Sequence, residues 1–310
     1  MMLGLLILRV LVSVGLLWGL VWWLDLESIV SRLTSMRLEW VVLAVAISVV
    51  QVWMLAWRWR FTAGRMGVAL SFATAWREYY LSIFLNQVLP GGVMGDVSRA
   101  WRQARGRAVG REPAGPAVRA VISERLSAQV VMTTVALGSL LVLPVTVDDR
   151  SLVAFIVAGA AVVLIVVASV IWIRQQSSAG SLAGRALADM AAAHWPRAAL
   201  VPQLASALLV VGSYLATYLA AARAVGVETP LPVLLPLIAP VLMTMLIPVT
   251  VAGWGLRESG AALLWGAVGL TVADGVTTSV AYGLIVLLSS LPGAAILVLG
   301  PGRPVAVPPG

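Results

Sequence analysis

What most constrains this chain is a series of uncharged, or nearly uncharged, apolar runs about 20 residues long, the length an α-helix needs to cross a hydrocarbon layer of about 30 Å. Six stretches qualify, at roughly 4–24, 38–57, 118–143, 151–173, 199–224 and 274–299. Composition agrees. Of 310 residues, 61% are hydrophobic and 11% charged, where a soluble domain carries about 25% charged residues. An ordinary soluble enzyme is thereby excluded, and an all-α polytopic membrane protein is expected. The first run reads as a retained span, because it continues to Trp22 and Trp23 with no small-residue cleavage site before Asp25.

Two further segments are apolar but interrupted. Residues 72–105 carry Arg77, Glu78, Asp96, Arg99, Arg102 and Arg105 around Pro90-Gly91-Gly92, and residues 231–268 hold several prolines before a second break from Pro248 to Gly255. Loop arginines decide how these segments sit, since short cytoplasmic loops are enriched in positive residues. Arg58, Arg60 and Arg65 precede the first interrupted segment, and Arg99, Arg102, Arg105, Arg107, Arg111 and Arg119 follow its break. With both flanks inside, the segment dips into the membrane and returns. The acidic 144–150 loop, with Asp148 and Asp149, then falls outside, and 174–197, with Arg174, Arg185 and Arg197, inside.

Continuing that count predicts about six full spans plus two broken re-entrant helical hairpins, in two inverted-topology halves. The halves run from about 1 to 147 and from 148 to 300, forming one membrane domain over 1–300, with a disordered cytoplasmic tail at 301–310. Both termini are expected to be cytoplasmic, and the expected setting is an inner (cytoplasmic) membrane. The breaks themselves match: in each, a proline (Pro90, Pro248) precedes a glycine (Gly95, Gly253) by five residues, and an acid and an arginine follow. Interrupted segments at corresponding places in two halves point to a transporter binding site near the midplane.

Candidate site residues cluster at those breaks. Asp96 and Arg99 are three apart and share a helix face beside the tip that starts at Asn86, where free N–H groups could hold an anion with Arg99. The alternative is a structural cap and ion pair, and the two are compatible. Arg257 and Glu258 lie just beyond Gly253-Trp254-Gly255, and ionisable residues at such depth are functional by default. Adjacent helix residues do not face each other, so these two are expected to find partners elsewhere. Glu124 and Arg125, two turns into the third span, suit pairing with Arg99 or Asp96. Arg58 and Arg60, between tryptophans, read as interfacial anchors, and Arg77, Glu78, Tyr79 and Tyr80 likewise.

Several chemistries drop out. The chain has no cysteine, and all 21 of its basic Lys/Arg residues are arginine, which removes thiol and Lys-based covalent catalysis. His194 is the only histidine, so a histidine metal site or a Ser-His-Asp triad is not expected. No Gly-Lys-Ser/Thr phosphate loop is present, which argues against ATP hydrolysis in this chain. The net charge of +8 sits beside the spans, so no nucleic-acid partner is implied. No cofactor or metal is expected.

Taken together, Trp57-Arg58-Trp59, Asn86 with Leu89-Pro90-Gly91-Gly92, Gly95-Asp96 with Arg99, Ser123-Glu124-Arg125-Leu126, and Pro248 with Gly253, Gly255 and Arg257-Glu258 resemble the lysylphosphatidylglycerol synthase transmembrane family. This is the flippase-like domain of bacterial multiple-peptide-resistance factors and of stand-alone membrane proteins, and the resemblance runs from about residue 5 to 299. In the two-part factors the membrane domain moves aminoacylated phosphatidylglycerol between leaflets, while a soluble domain attaches the amino acid. Only residues 301–310 follow the last span here, so lysyl transfer is not implied.

The leading expectation is a membrane lipid flippase or scramblase for a polar or anionic phospho-, glyco- or aminoacyl-lipid. Its substrate-binding residues are Asn86, Pro90, Gly91, Gly92, Gly95, Asp96, Arg99, Glu124, Arg125, Pro248, Gly253, Gly255, Arg257 and Glu258. Arg99, Arg125 and Arg257 would hold the phosphate, and the three acids would neutralise the empty site. The alternatives are a membrane-embedded enzyme or accessory subunit acting on a lipid-linked intermediate, with Asp96 or Glu258 as acid/base, and a proton-coupled solute transporter using Glu258.

Overall fold

The computed structural model describes residues 2–24, 26–89, 92–109, 113–143, 181–247 and 250–300. Regular structure there is helical throughout: α1 Met2–Trp23, α2 Leu26–Thr34, α3 Leu38–Arg65, α4 Phe72–Val88, α5 Met94–Val109, α6 Gly115–Leu141, α7 Leu182–His194, α8 Arg197–Ala224, α9 Leu231–Met243, α10 Leu256–Ala267 and α11 Val272–Leu299. A 3-10 turn, Thr244–Leu246, follows α9. Among the described residues, four helices are long and apolar enough to cross a membrane: α3, α6, α8 and α11. The first expected span forms α1, whose described apolar part, Ile7–Gly19, is shorter. The expected span at 151–173 and the tail at 301–310 lie outside the described residues, as do Pro90, Gly91 and Pro248. The expected inner loop at 174–197 contains a helix, α7.

Both interrupted segments are pairs of helices, α4 with α5 and α9 with α10. The residue before a proline is pushed out of the helical region. Accordingly Leu89 (ψ 146°) and Ile247 (ψ 110°), each preceding a proline in the sequence, are extended and end the helical run before them. Ser71 starts α4 by accepting the Thr74 N–H at 3.1 Å. The 28-residue helices α3 and α8 end alike. Gly67 (φ +70°) and Gly226 (φ +82°) take the left-handed conformation, and the next N–H, of Val68 or Val227, bonds back to the carbonyl of Ala63 or Ala222.

Packing is reciprocal between the two parts of the chain. α3 lies along α8, α4 packs on α11, and α9 packs on α6. Glycines permit the closest approaches: Gly293 of α11 faces the Tyr80 backbone of α4, and Gly95 of α5 faces the Ser82 backbone. One apolar cluster joins Tyr218, Leu234, Leu237, Trp265, Tyr282 and Ile285, and another joins Trp59, Tyr79, Tyr80, Ala120 and Val121.

The outer surface reverses the soluble pattern. Leu38, Val42, Trp53, Val130, Leu204, Leu208, Leu209 and Val298 are exposed, while Arg58, Arg99, Glu124, Arg257 and Glu258 are buried. In water this distribution would be unfavourable on both counts. A hydrocarbon surround removes the first cost and makes the internal pairing of charges obligatory.

Candidate functional site

Each interrupted segment ends in a buried charge cluster. In the first, Asp96 and Arg99 rise from the start of α5, one turn apart, and Arg99 Nη2 donates to Asp96 Oδ1 at 3.0 Å. Asp96 also accepts from Ser82 Oγ at 3.2 Å and from Asn86 Nδ2 at 3.2 Å. Asn86 in turn accepts the Gly95 N–H at 2.7 Å, so its amide ties the end of α4 to the start of α5. Opposite stands α6, whose Glu124 Oε2 lies 3.4 Å from Arg99 Nη2, while Arg125 Nε lies 3.7 Å from Asp96 Oδ2. The sequence-derived pairing of α6 with α5 therefore occurs in space.

The sequence reading missed the other half of this cluster. Arg58, expected as an interfacial anchor, is fully buried on α3. Its Nη1 donates to the Gln203 carbonyl at 2.9 Å and to Ser206 Oγ at 3.0 Å, its Nη2 to Ser127 Oγ at 3.0 Å, and its Nε lies 3.7 Å from Glu124 Oε1. Tyr79, also expected at the interface, is buried and donates its hydroxyl to Glu124 Oε2 at 2.6 Å. The signal was present: Gln51, Arg58 and Thr62, seven and four residues apart, fall on the one face of α3 that is buried. With Arg58 included, Arg58, Arg99 and Arg125 face Asp96 and Glu124, leaving the cluster one charge positive.

In the second cluster, Gly253 (φ +79°) and Gly255 (φ +87°) let the chain turn into α10. Glu258 then accepts the Gly255 N–H at 2.7 Å. The expectation that Arg257 and Glu258 pair elsewhere is overturned, since Arg257 Nη2 donates to Glu258 Oε1 at 2.6 Å. They sit in the first turn of α10, where the long arginine side chain folds back over its neighbour. Ser279 of α11 closes the group, accepting from Arg257 Nε at 2.9 Å and donating to Glu258 Oε1 at 3.1 Å.

The two clusters share a construction. The Arg99 guanidinium lies 4.5 Å from the Trp59 ring centroid and 4.0 Å from that of Tyr79. Arg257 lies 5.0 Å from Trp254 and 5.2 Å from Tyr282. Such stacking compensates a desolvated cation, and both guanidiniums are almost fully buried.

Between the clusters lies a cavity of about 180 Å³. Its wall includes Gly92 at the first break and Met245, Leu246 and Ala252 at the second, so both interrupted segments contribute to one space. Among the described lining residues Arg125 is the one cation, with 42% of its side chain exposed, and Glu124 the one acid. Asn86 also lines the cavity, whereas Gly95, Asp96, Arg99, Gly253, Gly255, Arg257 and Glu258 are not among its lining residues. Pro90, Gly91 and Pro248 belong to the undescribed residues. No group of three potential metal-ligating side chains occurs among the described residues.

Comparison with known proteins gives one family. The model described as lysylphosphatidylglycerol synthase TM region matches residues 6–293. No curated protein matches the chain.

Proposed function

The chain belongs to the lysylphosphatidylglycerol synthase TM region family, and from that premise we propose that it moves a lipid with a polar or anionic head group between bilayer leaflets, as a flippase or scramblase. It is a multi-pass, lipid-related membrane protein by family and by its apolar helices. The single observation that carries the finer reading is the cavity walled by both interrupted segments, with one accessible arginine inside an apolar bundle.

The ion pairs suit an exchange of partners. Asp96 keeps Arg99, Ser82 and Asn86 as hydrogen-bond donors whether or not Arg125 stays near it. Arg125, held only at 3.7 Å, can therefore turn to a lipid phosphate without leaving a buried carboxylate unsatisfied. Arg99 and Arg257 act as fixed counter-ions that position the breaks. The acyl chains stay in the bilayer, because about 180 Å³ is below the roughly 300–1,000 Å³ of a pocket that encloses a whole drug-sized ligand.

The proposal places one domain over residues 1–300 in an inner membrane, with both termini cytoplasmic and two inverted halves. The matched breaks, the matched ends of α3 and α8, and the reciprocal packing of α4 on α11 and α9 on α6 support that arrangement. Alternating access would follow from rocking one half against the other. The test is transbilayer movement of labelled lipids in proteoliposomes holding the purified chain. Faster movement than in empty vesicles is expected. Rates no faster than in empty vesicles for anionic, zwitterionic and aminoacylated head groups alike would overturn the proposal, and a change in lipid mass would replace it with an enzyme.

A further inference from the structure

The lining of the cavity bears on which head group it takes. Arg125 offers the one accessible charge among the described lining residues, and that charge is positive. The one acid in the wall, Glu124, is already used: Oε2 accepts from Tyr79 and Arg99, and Oε1 faces Arg58. An ammonium group entering the cavity would meet Arg125 and no free carboxylate. A buried cation without a counter-charge is costly, and a like charge beside it adds to that cost.

The rest of the polar lining consists of amides and two tyrosines, Tyr214 and Tyr282. Gln51 is 7% exposed, and its Nε2 is buried without a hydrogen-bond partner among the described residues. Gln87 and Gln129 join it in the wall. An unpaired buried donor is normally satisfied by something, and the natural acceptor here is a neutral oxygen. Around these groups the wall is apolar and soft, with Met132, Met243 and Met245. Methionine adapts to irregular ligands without supplying charge.

We propose that the cavity selects a phosphodiester whose substituent is hydroxylated and uncharged, such as a glycerol or sugar head group, and disfavours head groups bearing an ammonium. Arg125 takes the phosphate and Gln51 donates to a hydroxyl oxygen beyond it. This rests on the lipid-transfer reading for its source of ligand, yet it concerns binding and is tested without transport.

The experiment is native mass spectrometry of the full chain released from nanodiscs holding equal amounts of phosphatidylglycerol, phosphatidylethanolamine and lysylphosphatidylglycerol, with free glycerol 3-phosphate added in a separate arm. Phosphatidylglycerol is expected to be retained about tenfold over the two ammonium lipids, and Arg125→Gln to reduce its retention about tenfold, the worth of one charge-assisted hydrogen bond. Gln51→Leu, which keeps the volume and loses the donor, is expected to reduce it about fivefold, the worth of one neutral bond. That second variant keeps the test decisive if Arg125→Gln fails to fold. Equal or stronger retention of lysylphosphatidylglycerol, or unchanged retention in a folded variant, overturns the proposal. Free glycerol 3-phosphate binding as well as the lipid would overturn the lipid source. Selective binding with no lipid movement in proteoliposomes would leave this inference standing and remove the transport reading.

Discussion

Arg58 Nε lies 3.7 Å from Glu124 Oε1, and both side chains are shut off from the surface. Glu124 is thereby shared among Arg58, Arg99 and the Tyr79 hydroxyl, which makes it the junction between α3, α4, α5 and α6. Removing one partner of a buried ion pair leaves the other uncompensated, at a cost of about 3–5 kcal/mol. Glu124→Gln is accordingly expected to lower the thermal unfolding midpoint in detergent more than Asp96→Asn, because the Glu124 side chain is 1% exposed against 12% for Asp96 and joins more helices. A Glu124→Gln protein that melts with the wild type would show that the junction carries no stability. In a double-mutant cycle, Arg58→Met combined with Glu124→Leu should cost less than the sum of the single changes.

Arg99 must be arginine and not merely a cation. Its guanidinium lies against Trp59 and Tyr79 while bonding Asp96, and a planar fork stacks on the rings as it bonds, where a compact ammonium has no flat face to stack. Arg99→Lys keeps the charge and is expected to destabilise the protein by about 1–2 kcal/mol through lost stacking and packing. Chemical unfolding in mixed micelles would read this out. A neutral effect would mean that charge alone suffices.

Two helix glycines, buried Gly95 and exposed Gly138, should respond oppositely. A Cβ at Gly95 would meet the Ser82 backbone, which cannot move aside without separating α4 from α5. At Gly138, on α6, a Cβ would meet nothing within 4 Å. Gly95→Ala should therefore cost about 1–3 kcal/mol or more, whereas Gly138→Ala should gain about 0.5–1 kcal/mol from helix propensity. Matching melting temperatures for the two variants would contradict the close packing of the first interrupted segment.

The long helices and both breaks were legible because apolar length and proline position act locally: a proline forces its predecessor out of the helix wherever the chain goes. The partners of Glu124 were half legible, since α5 and α6 were expected to meet through it. Arg58 was misread because an arginine flanked by tryptophans looks the same in sequence at a membrane interface and in a buried cluster. What decides is the neighbouring helix: Gln203 and Ser206 of α8 supply acceptors that no local pattern announces. The Arg257–Glu258 pair was misjudged for a different reason. The rule that adjacent helix residues diverge concerns Cβ directions, and a side chain as long as arginine can fold back across it.

His194 gives α7 a pH-dependent hold on the bundle. α7 is clamped to α6 by Arg119 Nε on Asp189 Oδ2 at 2.5 Å and to α3 by Arg65 Nη2 on the Ala192 carbonyl at 3.1 Å. At its end, His194 Nδ1 lies 3.0 Å from the Met190 carbonyl, and Nε2 is buried with no partner among the described residues. The neutral ring suits this place, with its proton on Nδ1; a second proton on Nε2 would have no acceptor. Burial accordingly lowers the imidazole pKa below its ordinary 6.5, with Met190 opposing the shift and the nearby Arg58 and Glu124 acting in opposite senses. Because the folded-state pKa is the lower one, undocked α7 binds more protons as pH falls past about 6.5, and docking weakens there, while above that value it is fully present. Amide hydrogen exchange over residues 182–194 should therefore accelerate as pH falls below about 6.5 relative to α8, after correction for intrinsic rates. His194→Gln should flatten that difference, and a wild-type profile as flat as the variant's would rule His194 out as the titrating group.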